Sequence, residues 1–471
     1  MENDGILILG GGVSGRAAKE LLRFVGKKCV IYDDSCPEEE KERILSARYG
    51  ECVISPGFPT DGKVMRRILG RNPEISVIGE TELGYGYFNG KIIAVTGTNG
   101  KTTEVSLLSH IISGKTDCVA AGNIGYPLSR VALDALKSGK NPPSVVLELS
   151  SFQLSGMKNF ECEGAVVLNI TPDHTDVHKT FGNYKKIKNS VYSFVKPRGF
   201  AVVNADEPEV ECDFTGEKIF YSTEKSADCS VENGEVVFRG EKILPVSEVG
   251  LIGRHNLSNV LCAVCFSKKS GVENGVIREK IRSFRGLADR LEYVGAINGT
   301  KFYNDSKATN PDSAIKAAAC FDKSETAIIL GGSAKNADYS ELFGEIAGMK
   351  AIILVGATSE EMKKTAEKVF CGKGIRALPE TASDMCDAVR KAFYSGAKTV
   401  LLSPACASFD SYRNYAERGR DFIRCVKALA EMGNPTPDEK REQDFPLVEE
   451  NLPAENLTER QKFRSFGGED E

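Results

Sequence analysis

"VTGTNGKTT", residues 95–103, stands where an apolar run ends and a helix-like stretch begins. In such a strand–loop–helix unit the backbone N–H groups of the glycine-rich loop bind phosphate, the lysine adds a positive charge and a threonine hydroxyl reaches Mg²⁺. The full loop pattern G-x-x-x-x-G-K-[ST] requires Gly where this chain has Val95, so the loop is a shortened variant. The stretch therefore predicts a phosphate site built on Lys101 and Thr102.

The composition around this loop indicates a globular protein of several domains. A chain of 471 residues is too long for one ordinary hydrophobic core. The net charge of −5 argues against nucleic acid as the main partner, because a protein that neutralises phosphates along a nucleic acid needs a basic surface. We therefore expect no nucleic-acid partner.

The sequence also bears on the location of the protein. The start, "MENDGILILGGG", is too short and too acidic for a signal peptide, and no apolar stretch reaches the roughly 20 residues that span a bilayer. The 14 cysteines follow no disulfide pattern, and the lone Cys262-x-x-Cys265 falls on one apolar face of a helix-like stretch. We predict a cytoplasmic protein with reduced thiols, no membrane insertion, and a buried core position for Cys262 and Cys265.

Short apolar or β-branched runs alternate with helix-like stretches along the chain. Continuous apolar runs suit strands that are covered on both faces, so the sequence predicts an α/β protein with parallel sheets. The series restarts three times, which predicts domains over 1–89, 90–286 and 287–431. The last stretch, 432–471, is acidic, contains several prolines and lacks apolar periodicity, so we predict a disordered tail. The candidate strands are 5–10, 28–33, 91–97, 144–150, 164–170, 200–205, 326–332, 350–356 and 398–404.

A second glycine-rich turn opens the chain. In "ILILGGGVSGRAAKELL" the glycines at 10, 12 and 15 match G-x-G-x-x-G, and Asp33 ends the next predicted strand. Taken alone, this pattern suggests a dinucleotide-binding oxidoreductase, with the acidic residue on a ribose. The same turn can bind any nucleotide diphosphate, or it can serve only as a tight strand–helix connection.

Two central stretches carry groups that could bind a metal ion. Glu148, in "VVLELSSFQL", follows an apolar strand, where a carboxylate is costly unless it is ion-paired or metal-bound. "NITPDHTDVH" places Asp173, His174, Asp176 and His178 together after another strand. The two histidines have the spacing of H-E-x-x-H without its glutamate, so a zinc protease is disfavoured, and a polar loop cluster is the plain alternative.

Three polar loops follow strands in the last predicted domain. They are 304–313, 331–341 and 403–422, and each carries lysine or hydroxyl groups. Any one of them could be an ordinary solvated loop. Because the carboxyl ends of parallel strands are where α/β domains bind ligands, the three together favour a shared small-molecule site.

The ordered blocks of the chain resemble the Mur ligase family over about residues 1–431. The resemblance implies a Rossmann-like first domain, a central P-loop ATPase-like domain with a parallel sheet and a Rossmann-like third domain. The last block and the short first unit are most similar to members that add D-glutamate. The blocks are "GTNGKTT", "ELSSFQL", "NITPDHTDVH", "GRHNLSN", "NDSKATNP", "GGSAKNADYSE" and "SPACASFDSYRNYAERG".

The resemblance implies an amide-forming reaction of peptidoglycan precursor synthesis. ATP would phosphorylate the carboxylate of UDP-N-acetylmuramoyl-L-alanine, and the amine of D-glutamate would attack the acyl phosphate. Another ligase of the family with a different amino-acid acceptor is the alternative. A nicotinamide-dependent oxidoreductase that uses the glycine turn at 10–15 is a further alternative, but it would leave the phosphate loop unexplained. A nucleotide-binding protein without catalytic activity is another, but it would not need Lys101, Glu148, His174 and Lys188. We expect a monomer.

The resemblance also implies roles for single residues. Lys101, Glu148, His174 and Lys188 would be catalytic, and two Mg²⁺ ions would be held by Thr102, Glu148, His174 and a Lys188 carbamylated by CO₂. Asp289 departs from the family, which often has His before the arginine of "GLADR", so a contact there is in doubt. ATP would contact Gly97, Thr98, Asn99, Gly100, Lys101, Thr102, Thr103, Asn256, Asn259, Arg290, Asp305 and Lys307. The uridine end of the substrate would contact Ser14 and Asp33 or Asp34, and its sugar-peptide portion would contact Asn123 and Gln153. D-Glutamate would be bound by Thr309, Lys335, Ser408 and Tyr415.

Overall fold

The computed structural model contains two compact units, one over Met1–Gly286 and one that begins at Leu287. Three largely parallel sheets, each with its own helices, confirm the predicted α/β fold class. The domain limits 1–89, 90–286 and 287–431 stay predictions, and the tail after Met432 lies outside the described residues. The structure describes residues 5–60, 62–173, 175–333, 337–374 and 378–432.

The first sheet is parallel, with strand order β2-β1-β3-β4. Ile6 and Ile8 pack into one core cluster, and Leu7 and Leu9 pack into another on the opposite face. This double burial explains why the strand is a continuous apolar run. The elements are β1 (Ile6–Leu9), α1 (Val13–Phe24), β2 (Cys29–Tyr32), α2 (Glu38–Ser46), β3 (Glu51–Ile54), α3 (Lys63–Arg71), β4 (Ser76–Gly79) and α4 (Glu80–Gly86).

The central sheet runs in the order β13-β12-β11-β10-β9-β8-β5-β7-β6. Its strands from β5 to β11 pair in parallel, while β12 and β13 add an antiparallel extension that the strand predictions missed. The elements are β5 (Ile92–Thr96), α5 (Lys101–Ile112), β6 (Cys118–Gly122), α6 (Leu128–Ser138), β7 (Ser144–Glu148), α7 (Ser151–Ser155), β8 (Cys162–Val167), α8 (Thr175–His178), α9 (Phe181–Asn189), β9 (Val195–Asn204), β10 (Glu217–Tyr221), β11 (Cys229–Glu232), β12 (Glu235–Phe238), β13 (Glu241–Pro245), α10 (Arg254–Lys269) and α11 (Asn274–Ser283).

The sheet of the second unit has the order β14-β15-β19-β16-β17-β18, parallel except for the β14–β15 hairpin. The elements are β14 (Glu292–Ile297), β15 (Thr300–Asn304), α12 (Pro311–Ala318), β16 (Thr326–Leu330), α13 (Ser340–Glu345), β17 (Ala351–Leu354), α14 (Ser359–Lys373), β18 (Glu380–Thr381), α15 (Met385–Tyr394), β19 (Thr399–Leu402) and α16 (Tyr415–Met432). None of the helices in the described part of the chain has the length and apolar character of a membrane span.

The cysteines follow the sequence prediction only in part. Cys262 and Cys265 are fully buried on α10, as predicted. The expectation of reduced thiols throughout is wrong for one pair, because Cys386 and Cys425 form a disulfide between α15 and α16. The two cysteines are 39 residues apart, and only the packing of the two helices brings them together.

A carboxyl group is buried in the central core. Glu104, on α5, has no exposed surface, and neither of its carboxyl oxygens has a hydrogen-bond partner among the described residues. Burial raises its pKa to about 8, although the nearby Cys262 thiol opposes the shift. Glu104 is therefore protonated in the folded protein at neutral pH, whereas the unfolded chain would have released that proton.

We expect Glu104→Gln to stabilise the protein at high pH. Below pH 4.5 both states hold the proton, but between pH 4.5 and about 8 only the folded state does, so stability falls as the pH rises. The increase in the free energy of unfolding that Glu104→Gln gives over wild type should be larger at pH 8 than at pH 5, by on the order of 3 kcal/mol. Urea unfolding of wild type and variant in metal-free buffer at pH 5 and pH 8 measures this difference in free energy.

Glu279→Gln, at an exposed position of α11, is the matched control and should show no such growth. An equal gain from Glu104→Gln at pH 5 and pH 8 would contradict a protonated Glu104 in the core.

Candidate active site

The phosphate loop connects β5 to α5 in the predicted strand–loop–helix arrangement. Gly97 and Gly100 have φ values of 153° and 84°, which side-chain-bearing residues rarely adopt. The side-chain oxygen of Asn169 accepts from the N–H of Asn99 at 2.8 Å, and its amide donates to the Asn99 carbonyl at 3.0 Å. These bonds hold the loop open at the carboxyl end of β5, above the start of α5.

Two lysines meet at the loop. The Nζ atoms of Lys101 and Lys188 each donate to the carbonyl oxygen of Gly97 at 2.8 Å, and Nζ of Lys101 also donates to the carbonyl oxygen of Thr98. Lys188 is only 2% exposed. Burial lowers the pKa of Lys188 well below its usual range, and the charge of Lys101 lowers it further, against the opposing effect of nearby carboxylates. Burial and the charge of Lys101 therefore favour the uncharged form of Lys188 more than in an exposed lysine.

Tyr184 fixes the position of Lys188. It lies one helical turn earlier on α9, with its ring centroid 4.8 Å from the lysine nitrogen. Its hydroxyl lies 3.2 Å from Oγ1 of Thr98, so it also contacts the phosphate loop. The buried ring of His178 packs 5.5 Å from Tyr184 and hydrogen-bonds Ser151 at 2.9 Å. The sequence analysis did not single out Tyr184, although its i,i+4 spacing to Lys188 was a readable signal.

Glu148 ends β7 between two neighbouring strands. It pairs in register with Val95 of β5 and Gly122 of β6, which places it beside the phosphate loop. Its Oε1 accepts from Nδ2 of Asn123 at 3.1 Å. Its Oε2 is buried and has no hydrogen-bond partner among the described residues. A buried carboxylate oxygen without a hydrogen-bond donor from the described residues is a suitable ligand for a divalent cation.

The rest of the predicted metal site is incomplete in the described part of the chain. Thr102 is the second residue of α5, next to Lys101. His174 lies outside the described residues. No cluster of three or more His, Cys, Asp or Glu side chains arranged to hold a metal ion occurs among the residues that are described. The fit to Mg²⁺ therefore depends on Glu148.

A cavity of about 410 Å³ opens at the carboxyl ends of β1, β2 and β3 and extends to the loop after β6. It brings together all the residues predicted for the UDP-linked substrate, which come from two predicted domains. Glycines of the first turn and a proline-rich loop complete the wall. The lining residues are Gly10, Gly12, Val13, Ser14, Asp33, Asp34, Ser55, Pro56, Gly57, Phe58, Pro59, Gly122, Asn123, Gly125 and Gln153.

Asp33 holds the glycine turn at the edge of this cavity. One of its oxygens accepts from the N–H of Gly11 at 2.6 Å, and the other accepts from the hydroxyl and the N–H of Ser35. These hydrogen bonds lower its pKa to about 2. At Gly15, a Cβ atom would lie 1.9 Å from the carbonyl oxygen of Gly10, so the close strand–helix contact requires glycine. The turn is thus rigid and carries a fixed negative charge.

Gln153 has a structural role that the sequence analysis did not assign. It forms a capping box with Ser150 at the start of α7. Its side-chain amide donates to the hydroxyl of Thr81 at 3.0 Å. These bonds connect α7 to α4. Gln153 lines the cavity as well, so its predicted contact with substrate stays a prediction.

Asn256 and Asn259, two of the residues predicted to contact ATP, lie at the start of α10. Both are buried, and Nδ2 of Asn256 donates to the carbonyl of Ile252 at 2.7 Å. A Cβ atom on Gly100 would lie 3.2 Å from Oδ1 of Asn259. The start of α10 therefore packs directly against the phosphate loop.

The second unit gathers the predicted residues at the ends of β15 and β19. Asp305 accepts from the Ser403 hydroxyl at 2.8 Å and from the N–H of Leu291 at 3.2 Å. Burial raises its pKa to about 7. The ammonium of Lys307 lies 3.7 Å from the ring centroid of Tyr415. Arg290 lies next to Asp289, Thr309 is half-buried and Ser408 is buried, while Lys335 lies outside the described residues.

Asp289, where the family often has histidine, is built into this end of the sheet. It has a φ of 62° and is 8% exposed. Its carboxylate accepts from the side-chain amide of Asn304 at 2.9 Å, and its N–H donates to Glu292 at 2.9 Å. Burial raises its pKa. These hydrogen bonds join Asp289 to the paired ends of β14 and β15.

Arg418 is a central residue that the sequence analysis missed. It is 2% exposed on α16, and its guanidinium donates to carbonyl oxygens of Ser306, Cys406 and Ala407 and to the Ser306 hydroxyl, at 2.8–3.2 Å. A longer bond reaches Gly331 at 3.4 Å. One arginine thus ties together the loops after β15, β16 and β19. No sequence pattern distinguished it from the other arginines of the last block.

Comparisons with known proteins bear on the family of the chain. The sequence model of the Mur ligase middle domain matches residues 95–267, and that of the Mur ligase glutamate ligase domain matches residues 289–406. The UDP-N-acetylmuramoylalanine–D-glutamate ligase of Thermoanaerobacter pseudethanolicus is 35% identical, over 90% of this chain and 98% of that protein. The protein of that name from Streptococcus thermophilus is 34% identical, over 91% and 98%.

Solved structures share the fold at lower identity. The MurF ligase from Thermotoga maritima in complex with ADP has a TM-score of 0.58 at 15% identity, over 91% of this chain and 95% of that chain. The UDP-N-acetylmuramate–alanine ligase MurC of the same organism also has a TM-score of 0.58 at 15% identity, over 90% and 99%. Because relatives more than 30% identical align along nearly their whole length, the chain belongs to the Mur ligase family.

Proposed function

We propose that this protein is an ATP-dependent ligase that joins D-glutamate to UDP-N-acetylmuramoyl-L-alanine in peptidoglycan precursor synthesis. The observation that carries the proposal is the meeting of Lys101, Lys188 and Glu148 around one phosphate loop, beside a cavity that can take a nucleotide-linked substrate. The relatives over 30% identical that bear this activity in their names support the choice of acceptor.

The phosphate loop would bind the phosphates of ATP. Its N–H groups and the start of α5 favour negative charge, and Lys101 would leave the loop carbonyls to contact the transferred phosphate. Glu148 and Thr102 would hold one Mg²⁺, with His174 on a second. Bound Mg²⁺ neutralises the charge that develops on the phosphate oxygens. Asn123 hydrogen-bonds one oxygen of Glu148, and the other oxygen, which no described residue hydrogen-bonds, would contact the ion.

Lys188 would act as a carbamate. Its uncharged amine would attack CO₂, a nitrogen–carbon bond would form, and one proton would pass to solvent. The product carries a negative charge beside Lys101, so the two side chains would attract each other. The anion is also a suitable oxygen ligand for the second Mg²⁺.

The third domain would bind the amino acid that is added. D-Glutamate has two carboxylates, and Lys335 and the hydroxyls of Thr309, Ser408 and Tyr415 are the predicted partners. Arg418 would keep the three loops that carry these groups in register. We place the domains at 1–89, 90–286 and 287–431, and the enzyme in the cytoplasm as a monomer.

The proposal is tested first by the acceptor that the enzyme uses. The purified protein, Mg²⁺, bicarbonate, ATP and UDP-N-acetylmuramoyl-L-alanine should release phosphate only when D-glutamate is added. L-Glutamate and L-lysine are the controls. Release with L-lysine instead would keep the ligase chemistry and overturn the acceptor. No release with any acceptor would overturn the function.

A second experiment tests the carbamate. Lys188→Ala should lower kcat about 100-fold, because an anionic ligand is lost at the metal site. In ¹³C-bicarbonate, the wild-type protein should show a carbamate carbon signal by NMR that Lys188→Ala lacks. Lys186→Ala, an exposed lysine on the same helix, is the matched control and should keep both the signal and the activity. A signal that persists in Lys188→Ala would refute the assignment.

A further inference from the structure

Phe58 differs in chemistry from the other residues that line the 410 Å³ cavity at the first sheet. Among the described lining residues it is the only aromatic side chain, the others being glycines, prolines, a valine and small polar or acidic residues. It plays no part in the roles assigned to the site so far. Its place at the carboxyl end of the first sheet gives it a definite position along a bound substrate.

The direction of the substrate in the cavity follows from Glu148. Asn123, at the central-domain end, hydrogen-bonds this residue beside the phosphate loop. The carboxylate that ATP phosphorylates must reach that end. The nucleoside, at the opposite end of a UDP-linked substrate, must then lie at the end formed by the first sheet. This orientation rests on the proposed function.

The diphosphate has a natural site between the two ends. α1 is 12 residues long and begins after Gly12, which has no side chain to occupy the first N–H groups of the helix. Around this helix start the cavity is lined by Asp33 and Asp34, which follow β2, and by the loop 55–59, which follows β3. A base attached to that diphosphate would therefore meet the loop that carries Phe58.

The ring of Phe58 is held in place before any ligand binds. It is half-buried, packs against the core of the first domain and meets the ring of Tyr32 edge-on, with centroids 6.2 Å apart and planes at 85°. The N–H of Phe58 donates to the carbonyl of Ser55 at 3.0 Å, in a loop flanked by Pro56 and Pro59. A ring fixed in this way can bind a flat partner without a large loss of conformational entropy.

We propose that Phe58 forms the stacking wall for the uracil ring of the substrate and thereby sets the affinity for the nucleoside end. An aromatic ring offers its face to a base without needing hydrogen bonds, and such a contact is worth about 1–3 kcal/mol per base. Asp33 and Asp34 also line the cavity and would meet the polar groups of the nucleoside. The N-acetylmuramoyl sugar, which has no flat face, would lie nearer Asn123.

Calorimetric titration of the full-length protein with UDP tests the proposal. Phe58→Ala and Phe58→Leu should each weaken UDP binding about 10- to 100-fold, whereas Phe58→Tyr should bind as wild type. Phe58→Leu keeps most of the contact with Tyr32, so a loss in this variant separates stacking from packing. The KM values for ATP and D-glutamate should not change.

Inorganic pyrophosphate is the second probe, since it has no base. Its inhibition constant against UDP-N-acetylmuramoyl-L-alanine should be the same for wild type and Phe58→Leu. Phe24→Ala, an exposed phenylalanine on α1 outside the cavity, is the matched control and should keep wild-type UDP affinity.

The outcomes separate this inference from the proposed function. Wild-type UDP affinity in Phe58→Leu, or an equal loss for UDP and pyrophosphate, would overturn the stacking role while leaving the ligase intact. A wild-type protein that does not bind UDP at all would overturn the proposed substrate instead.

Discussion

The carbonyl oxygen of Gly97 is the point on which the site depends, because two lysine side chains converge there. Lys101 reaches it from the adjoining helix and Lys188 from 91 residues further along the chain. Two positively charged side chains that contact the same carbonyl oxygen repel each other in a buried setting. The burial of Lys188 under Tyr184 favours its uncharged form, which relieves the repulsion. The phosphate loop thus places the charge of Lys101 beside a second lysine whose charged form is disfavoured.

Acidic residues near the ends of parallel strands behave differently because their surroundings differ. Asp33 accepts N–H and hydroxyl hydrogen bonds at a cavity edge, and its pKa falls to about 2. Asp305 is deeply buried, and its pKa rises to about 7 despite two hydrogen bonds. One carboxylate oxygen of Glu148 has no hydrogen-bond partner in the described part of the chain. Strand ends place carboxylates at the sites, but burial and donors decide what each carboxylate can do.

Some features that the sequence analysis missed were readable. The hairpins β11–β12 and β14–β15 turn at Asn233–Gly234 and Asn298–Gly299, and all four residues have positive φ. The Asn-Gly pair is the strongest short signal for such a turn. The Cys386–Cys425 disulfide and the carbonyl contacts of Arg418 gave no such signal, since both depend on which helices pack together.

The sequence by itself determined the local units: the glycine turns, the lysine after the phosphate loop, and the apolar strands that place ligand sites at one sheet edge. These follow from backbone sterics and hydrophobic periodicity within a few residues. Only the tertiary structure decided that Lys188, and not its exposed neighbour Lys186, lies on the phosphate loop. It also decided that residues of two predicted domains share one cavity. Burial and the distances between remote side chains exist only once the chain has folded.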